Sequence, residues 1–199
     1  MAVLLGNRFS EWRYDTGYLR FPALSTITMA APPLLLSTIA STDQDAVIAW
    51  DPVAGNPIVS FSGDTPARST LTATKALVVC AVAKKPVLQM WSFQSSAAHK
   101  RLTTKGVVNA LAFTHDDSIL FLAIEKSIYA YQFFDALTGQ LSSTVLSNSP
   151  PLSSICSAPY SNHVFCGTEN GILHTIWIKN PQDLQSLELS FRRCFAESG

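Results

Sequence analysis

Short apolar runs separated by small polar turns recur along this chain. Their regular return constrains the fold more than any single motif. The stretch Val107–Phe133, VVNALAFTHDDSILFLAIEKSIYAYQF, holds three such runs: Val107–Phe113, Ile119–Ile124 and Ile128–Phe133. His115-Asp116-Asp117-Ser118 separates the first two, and Glu125-Lys126-Ser127 the last two. Runs this short, rich in Val, Ile, Leu, Phe and Tyr and bounded by Asp and Ser, read as strands of an antiparallel meander. None is long enough for helical periodicity to be preferred.

The same unit returns on both sides. Leu34–Ser41, Ala46–Trp50 and Pro57–Phe61 surround turns at Asp43-Gln44-Asp45 and at Asp51–Asn56, where Asp, Pro, Gly and Asn supply turn geometry. Ser69–Ala73, Ala76–Ala83 and Val87–Phe93 form the next unit, with a turn at Lys84-Lys85-Pro86, and Gln94–His99 reads as a polar loop. After Phe133 come Asp135–Gln140, Leu141–Leu146 and a Pro-rich break at Ser147–Leu152. The last clear unit is Leu152–Cys156, Val164–Gly167 and Ile172–Ile178. Its Glu169-Asn170-Gly171 turn carries the Asn-Gly signal of a two-residue hairpin, in which both positions accept positive φ. Residues 29–180 therefore carry the repeating units. Residues 1–28 lack the alternation and read either as an extension ahead of Met29 or as a short strand or helix packed on the domain. Residues 181–199 read as a polar tail or, through LELSFRRCF, as an incomplete further unit.

The period is measurable from the aromatic that ends each third strand. Trp50 to Trp91 is 41 residues and Trp91 to Tyr131 is 40. The next equivalent point falls near Ile176 or Trp177, about 45 residues on, which is within the range of such repeats. Gly55 and Gly139, read as loop glycines, agree with the same spacing. A period of this size with four short strands per unit predicts an all-β fold, a WD-repeat β-propeller with about four recognisable blades. Trp50-Asp51 is the one WD dipeptide, and the Gly-His that often opens such a repeat is missing. Trp50, Asp51, Trp91, Tyr131, Gly139, Gly167 and Gly171 are expected to be structural blade residues, with the aromatics filling the gaps between neighbouring sheets. Four blades can make a small closed ring, an open arc, or part of a larger ring; an open arc leaves sheet faces exposed.

The remaining features bound function. The chain has 14 basic and 14 acidic residues, so it lacks the charge excess of a nucleic-acid-binding stripe. Cys80, Cys156, Cys166 and Cys194 form no CxxC pair and read as reduced, mostly buried side chains, so the expected compartment is intracellular. No segment approaches the ~20 apolar residues of a transmembrane helix. No GxSxG, GxxxxGK[ST], HExxH or GxGxxG is present, and the expectation is a protein that is not an enzyme and holds no cofactor. His163, Cys166 and His174 supply three potential zinc ligands without a fourth, and no metal is expected. Asp116-Asp117 falls in a turn where an Asp pair is common. His99, Lys100, Arg101 and Lys105 form a basic cluster on the expected loop between two units.

Several stretches, taken in order, resemble the WD-repeat protein 18 family, whose fungal counterpart is Ipi. They are MAAPP at Met29, AVIAWDPVAGNPIVSF at 46–61, VLQMWSFQ at 87–94, GVVNALAFTHDDSILFLA at 106–123 and HVFCGTENGILHTIWI at 163–178. The resemblance covers roughly residues 29–192. It departs from the family pattern where DALTGQLSSTVLSNSPP joins two units directly, in place of more than one further blade. The repeats expected after Phe191 and a C-terminal helical region are missing too. The resemblance implies a non-enzymatic scaffold of a nucleolar complex that assembles the large ribosomal subunit and processes the internal transcribed spacer of pre-rRNA. The implied partner is a large helical-repeat protein rich in Pro, Glu and Leu, with indirect association with pre-rRNA and no membrane. The implied location is nucleolus and nucleoplasm, with the cytoplasm left open. The alternatives are a generic WD-repeat adaptor, such as a ubiquitin ligase substrate receptor, or a non-functional truncated isoform.

Overall fold

Short apolar runs bounded by polar turns give each unit of the repeat the same outcome, a four-stranded antiparallel meander. The computed structural model describes residues 23–27, 34–40, 45–51, 53–67, 70–74, 76–93, 95–134, 136–145, 149–158, 161–178 and 189–194. Sheet 1 contains β1 (Ala23–Ile27), β2 (Leu34–Ala40), β3 (Asp45–Trp50) and β4 (Pro57–Ser62). Sheet 2 contains β5 (Thr72–Ala73), β6 (Leu77–Ala81), β7 (Val87–Ser92) and β8 (Ser95–Thr103). Sheet 3 contains β9 (Ala110–Phe113), β10 (Ile119–Ile124), β11 (Ser127–Phe134) and β12 (Ala136–Val145). Sheet 4 contains β13 (Leu152–Ser157), β14 (His163–Thr168), β15 (Leu173–Ile178) and β16 (Leu189–Cys194). Strand order follows chain order in all four sheets, so every described pairing is antiparallel and local. Among the described residues there is no helix, and none is long and apolar enough to cross a membrane.

Each interior sheet is apolar on both faces, because consecutive sheets stack on one another. The near face of a sheet is the one toward the preceding sheet, and the far face the one toward the next. Between sheets 1 and 2, Leu36, Val47, Ala49 and Phe61 meet Leu71, Ala73, Val78, Cys80 and Trp91. Between sheets 2 and 3, Val79, Ala81, Leu88 and Met90 meet Leu111, Phe113, Leu120, Leu122 and Phe133. Between sheets 3 and 4, Ala110, Phe121, Ala123 and Ile128 meet Leu152, Val164, Cys166, Ile176 and Ile178. The alternation in β10 makes the rule visible: Ile119, Phe121 and Ala123 serve the far core, while Leu120, Leu122 and Ile124 serve the near one. This explains why ILFLAI is apolar throughout and buried throughout, with no polar side. Among the described residues no core joins sheet 1 to sheet 4.

Three expectations change. Gln94–His99 is not a loop: Ser95–Thr103 forms β8 and pairs with β7, Trp91 opposite His99. Its polar sequence hides it, because an outer strand is held by ladder hydrogen bonds and its exposed Lys100, Arg101 and Thr103 need no apolar face. Ala136–Val145 is one continuous strand across the two runs read at Asp135–Gln140 and Leu141–Leu146, with register shifts against β11 at Ala130/Tyr131 and Gln132/Phe133. Gly139 therefore lies within β12 opposite Gln132, and not in a loop. Leu189–Cys194 completes sheet 4 on β15 and does not open a further sheet, and residues 181–188 and 195–199 lie outside the described residues.

At the other end, Ala23–Ile27 pairs with β2 along its whole length, from Ala23 opposite Thr38 to Ile27 opposite Leu34. The boundary expected at residue 28 thus cuts into sheet 1, and the extension reading survives only for residues 1–22, which lie outside the described residues. A chain begun at Met29 lacks β1 and leaves one edge of β2 unpaired. Its amides in Leu34–Ala40 are expected to exchange with solvent faster than in the full chain; equal protection would show that β1 is dispensable.

Candidate functional site

The aromatics of the repeat occupy one position. Trp50, Trp91 and Tyr131 all lie on third strands: β3, β7 and β11. At each of them the pairing with the fourth strand slips, by one residue at Trp50 and Tyr131 and by three beside Trp91. The shifts fall between Ala49 and Trp50, between Trp91 and Ser92, and between Ala130 and Tyr131. A bulge twists the strand and re-aims its side chains, so a large ring is turned into the gap between sheets. Trp91 is 1% exposed, lies 5.9 Å from Phe61 between ring centroids, and donates its Nε1–H to the Ser62 carbonyl at 3.0 Å. Trp50 is buried on the near face of sheet 1. Tyr131 is only half-buried, packed on the core between sheets 2 and 3, and burial, with Tyr129 beside it, pushes its phenol up. In sheet 4 Ile176 takes the buried position, while Trp177 points the other way and is 47% exposed.

The small and acidic residues of the repeat shape turns. Asp51 accepts the N–H groups of Val53 at 2.8 Å and Ala54 at 3.0 Å, closing the turn into β4, where Gly55 has φ 72°. A Cβ at Gly167 would meet only the Ser154 hydroxyl, the tip of an exposed side chain that can rotate away, so space does not demand glycine there. Gly171 is required by its φ of +82°. The turn around it is not the two-residue hairpin that Asn-Gly predicts, because Asn170 is not at positive φ. It is a three-residue loop: Gly171 N–H bonds the Thr168 carbonyl at 3.1 Å, and Thr168 pairs with Ile172 at 3.0 Å. Thr168 Oγ1 holds it by donating to Asn170 Oδ1 and accepting from the Ile172 N–H.

The turn at Thr114–Ile119 uses the same side-chain bonds in a loop one residue longer, with Asp116 in the place of Asn170 and Asp117, at φ 62°, in that of Gly171. Burial pushes the Asp116 carboxyl up, but hydrogen bonds from Thr114 and Ser118 outweigh it and hold the group below its ordinary value. Asp116 Oδ1 and Oδ2 both take local donors, so the Asp pair is turn chemistry. The adjoining cleft, of about 170 Å3, is lined by His115, Asp116, Ser118, Ser161 and Asn162 among others. It is smaller than the 300–1,000 Å3 typical of small-molecule sites.

The potential zinc ligands do not converge. His163 is exposed on the far face of sheet 4, with its Nδ1 2.7 Å from Ser161 Oγ. Cys166 and His174 are opposite one another and buried on the near face. Among the described residues no group of three His, Cys, Asp or Glu side chains could hold a metal ion. His174 instead meets Ser149, a residue that sequence reasoning passed over in the Pro-rich break. Its Nε2 lies 3.1 Å from Ser149 Oγ, which also reaches the Pro150 carbonyl at 3.1 Å. A hydroxyl has one proton. With that proton donated to the Pro150 carbonyl, the hydroxyl accepts from the Nε2–H tautomer of His174. The pair ties the chain entering sheet 4 to β15. Ser149→Ala is expected to cost about 1–3 kcal/mol in urea denaturation, the cost of a buried polar group left unmet.

Burial pushes the Cys80 thiol up to about 12. Burial, and then the neighbouring Cys156, pushes Cys166 to about 12 as well. Both remain thiols in the fold at a pH where the unfolded chain would ionise, so their contribution to stability is lost as pH rises from 9 towards 12. Cys156 is exposed. In a Cys194→Ser chain at pH 8 a maleimide is expected to modify Cys156 and spare Cys80 and Cys166, all three becoming reactive in denaturant; equal rates in the folded chain would overturn this burial.

The basic cluster lies on and after β8, not on a loop. Arg101 Nη2 and Lys85 Nζ each lie 3.3 Å from the Asp64 carboxylate. Asp64 is in turn fixed by Gln89, which is fully buried and bonds both the Asp64 N–H at 2.9 Å and its carbonyl at 3.0 Å. These contacts join the linker after sheet 1 to sheet 2. With the geometry so described, the chain is an all-β protein of small stacked antiparallel sheets. Comparison with protein-family models and with curated proteins finds no match.

Proposed function

We propose that the four sheets are blades of an open WD-repeat β-propeller and that the chain is a non-enzymatic scaffold. Its proposed setting is a nucleolar complex that assembles the large ribosomal subunit and processes the internal transcribed spacer of pre-rRNA. The observation that carries the propeller reading is the repeated third-strand aromatic with a register shift beside it, at Trp50, Trp91 and Tyr131. Such coincidence follows when one supersecondary unit is repeated, and four-stranded meanders stacked face to face are the units of a radial array. The ribosomal setting rests on the resemblance of the stretches at 46–61, 87–94, 106–123 and 163–178. In this reading the partner is the helical-repeat protein rich in Pro, Glu and Leu. Pre-rRNA is reached through that protein, in keeping with a chain of no net charge.

The test is purification of the tagged full chain from cells. Recovery of large-subunit precursors and the helical-repeat partner is expected. Recovery of chaperones and quality-control factors alone would sink the scaffold reading and favour a truncated, non-functional product. A ubiquitin ligase partner without any pre-rRNA defect on depletion would favour the adaptor class instead.

A further inference from the structure

Two Ser or Thr residues of the chain are followed directly by proline, at Thr65-Pro66 and Ser149-Pro150. Ser/Thr-Pro is the pair that proline-directed protein kinases modify, and a basic residue two positions past the proline improves it. Thr65-Pro66-Ala67-Arg68 has that residue in sequence, whereas Ser149-Pro150-Pro151-Leu152 has leucine there. The fold separates the two further. Ser149 is 3% exposed, and its Oγ lies 3.1 Å from both His174 Nε2 and the Pro150 carbonyl. Thr65 is exposed, on the linker from β4 to β5. A residue that precedes proline is held to extended backbone. The Thr65 carbonyl accepts the Ala83 N–H at 2.8 Å and Pro66 bridges Val82, which lays this extended linker beside the turn from β6 to β7.

That turn already holds an anion. Lys85 Nζ and Arg101 Nη2 each lie 3.3 Å from the carboxylate of Asp64, the residue next to Thr65. Burial pushes the Asp64 carboxyl up, but Lys85 and Arg101 outweigh it and hold the group below its ordinary value. The two cationic side chains are 60% and 50% exposed, so both can follow an anion displaced by one residue. Exposed Lys84 stands in the same turn, directly after Ala83.

We propose that Thr65 is a phosphorylation site and that Lys85 and Arg101, with Lys84 beside them, take its phosphate in place of the Asp64 carboxylate. Thr65 Oγ attacks the γ-phosphorus of a nucleoside triphosphate bound to the kinase. The new O–P bond forms as the bond to the β-phosphate oxygen breaks, the diphosphate leaves, and the hydroxyl proton passes to the kinase's catalytic carboxylate. A phosphothreonine carries about −1.5 to −2 charges at neutral pH and three acceptor oxygens, so it outcompetes a single carboxylate for the two cations. The exchange does not release the linker, because Gln89 still bonds both the N–H and the carbonyl of Asp64. Its effect is to cancel the positive charge of the turn at the seam between sheets 1 and 2. The site stands on this linker alone and needs neither the propeller nor the ribosomal setting.

The test treats the full chain with a proline-directed kinase and ATP and locates phosphate by mass spectrometry. Synthetic peptides spanning 60–72 and 144–156 serve as unfolded controls. Thr65 is expected to be modified in the folded chain, and Ser149 only in its peptide. A folded chain without phosphate on Thr65, or with Ser149 modified as fast as Thr65, overturns the assignment. Phosphorus NMR then follows the second ionisation of the phosphothreonine. Two cations favour the dianion and one carboxylate, Asp64, opposes it, so this ionisation is expected at lower pH in the folded chain than in the peptide. Lys85→Gln with Arg101→Gln is expected to abolish that shift while the far-ultraviolet circular dichroism stays unchanged. An ionisation at or above the pH of the peptide's, or a shift that survives the double variant, overturns the role of Lys85 and Arg101.

Discussion

Trp91→Ala is expected to lower stability by about 3–5 kcal/mol, measured as a shift in the urea midpoint, because it empties the gap between sheets 1 and 2. The side chain is 1% exposed and belongs to a core that also contains Phe61, Val47 and Leu36 from sheet 1. Its Nε1–H is the donor to Ser62, so the substitution removes both a large apolar volume and a bond across the seam. Trp91→Phe separates the two. It keeps most of the ring and is expected to cost about 1–2 kcal/mol, chiefly for the bond to Ser62. Amide exchange in β3 and β4 should quicken more than in β14 and β15, since the lesion lies at one seam. A loss under about 1 kcal/mol for Trp91→Ala would show that the seam contributes little, contrary to the behaviour of buried aromatics.

Gly63→Ala is expected to cost about 2–3 kcal/mol through a different mechanism, the displacement of a buried amide. A Cβ at position 63 would lie 2.3 Å from Gln89 Oε1 and 3.0 Å from Trp91 Cζ2. The end of a glutamine can usually swing away. Here it is fully buried and bonded to both the N–H and the carbonyl of Asp64, so moving it leaves polar groups unmet. The cause can be checked by a double-mutant cycle. Gln89→Ala removes the obstructing atom, so the two changes together should cost less than their sum, and strict additivity would show that Gly63 is needed for some other reason.

The architecture was legible where side chains obey a period. The apolar runs of β6, β7, β9 and β10 fall where the turn residues bound them, because both of their faces are buried and the requirement is strong, and β11 follows with its buried Ile128, Ala130 and Phe133. Strands that carry no such requirement were hidden. β8 begins with Ser-Ser-Ala-Ala-His-Lys, and β16 contains two adjacent arginines; each is the outer strand of its sheet, specified by backbone pairing more than by composition. Gly139 misled for a related reason, since a glycine inside a strand at a register shift leaves the same mark in sequence as one in a turn. The Asn170-Gly171 pair signalled a hairpin correctly and its loop length incorrectly, because Thr168 recruits Asn170 by a side-chain bond and leaves the left-handed position to Gly171 alone.

The long-range tethers were out of reach. Gln89 to Asp64 and Asn109 Nδ2 to the Leu152 carbonyl link residues 25 and 43 positions apart, and no local pattern announces them. Gly63 had one faint signal, its place in a short polar linker directly after an apolar strand. Ser149 had none beyond its neighbouring prolines.

That every described core joins consecutive sheets has a consequence for how the chain acquires its structure. The described tertiary partners lie on consecutive sheets, so loop-closure entropy is modest at each step. Folding can begin at the first sheet as it leaves the ribosome and advance sheet by sheet behind the growing end, each completed layer serving as the template for the next. On that route the nascent chain exposes one unfinished apolar face at a time, and the layer that waits longest for its outer strand is the last one made.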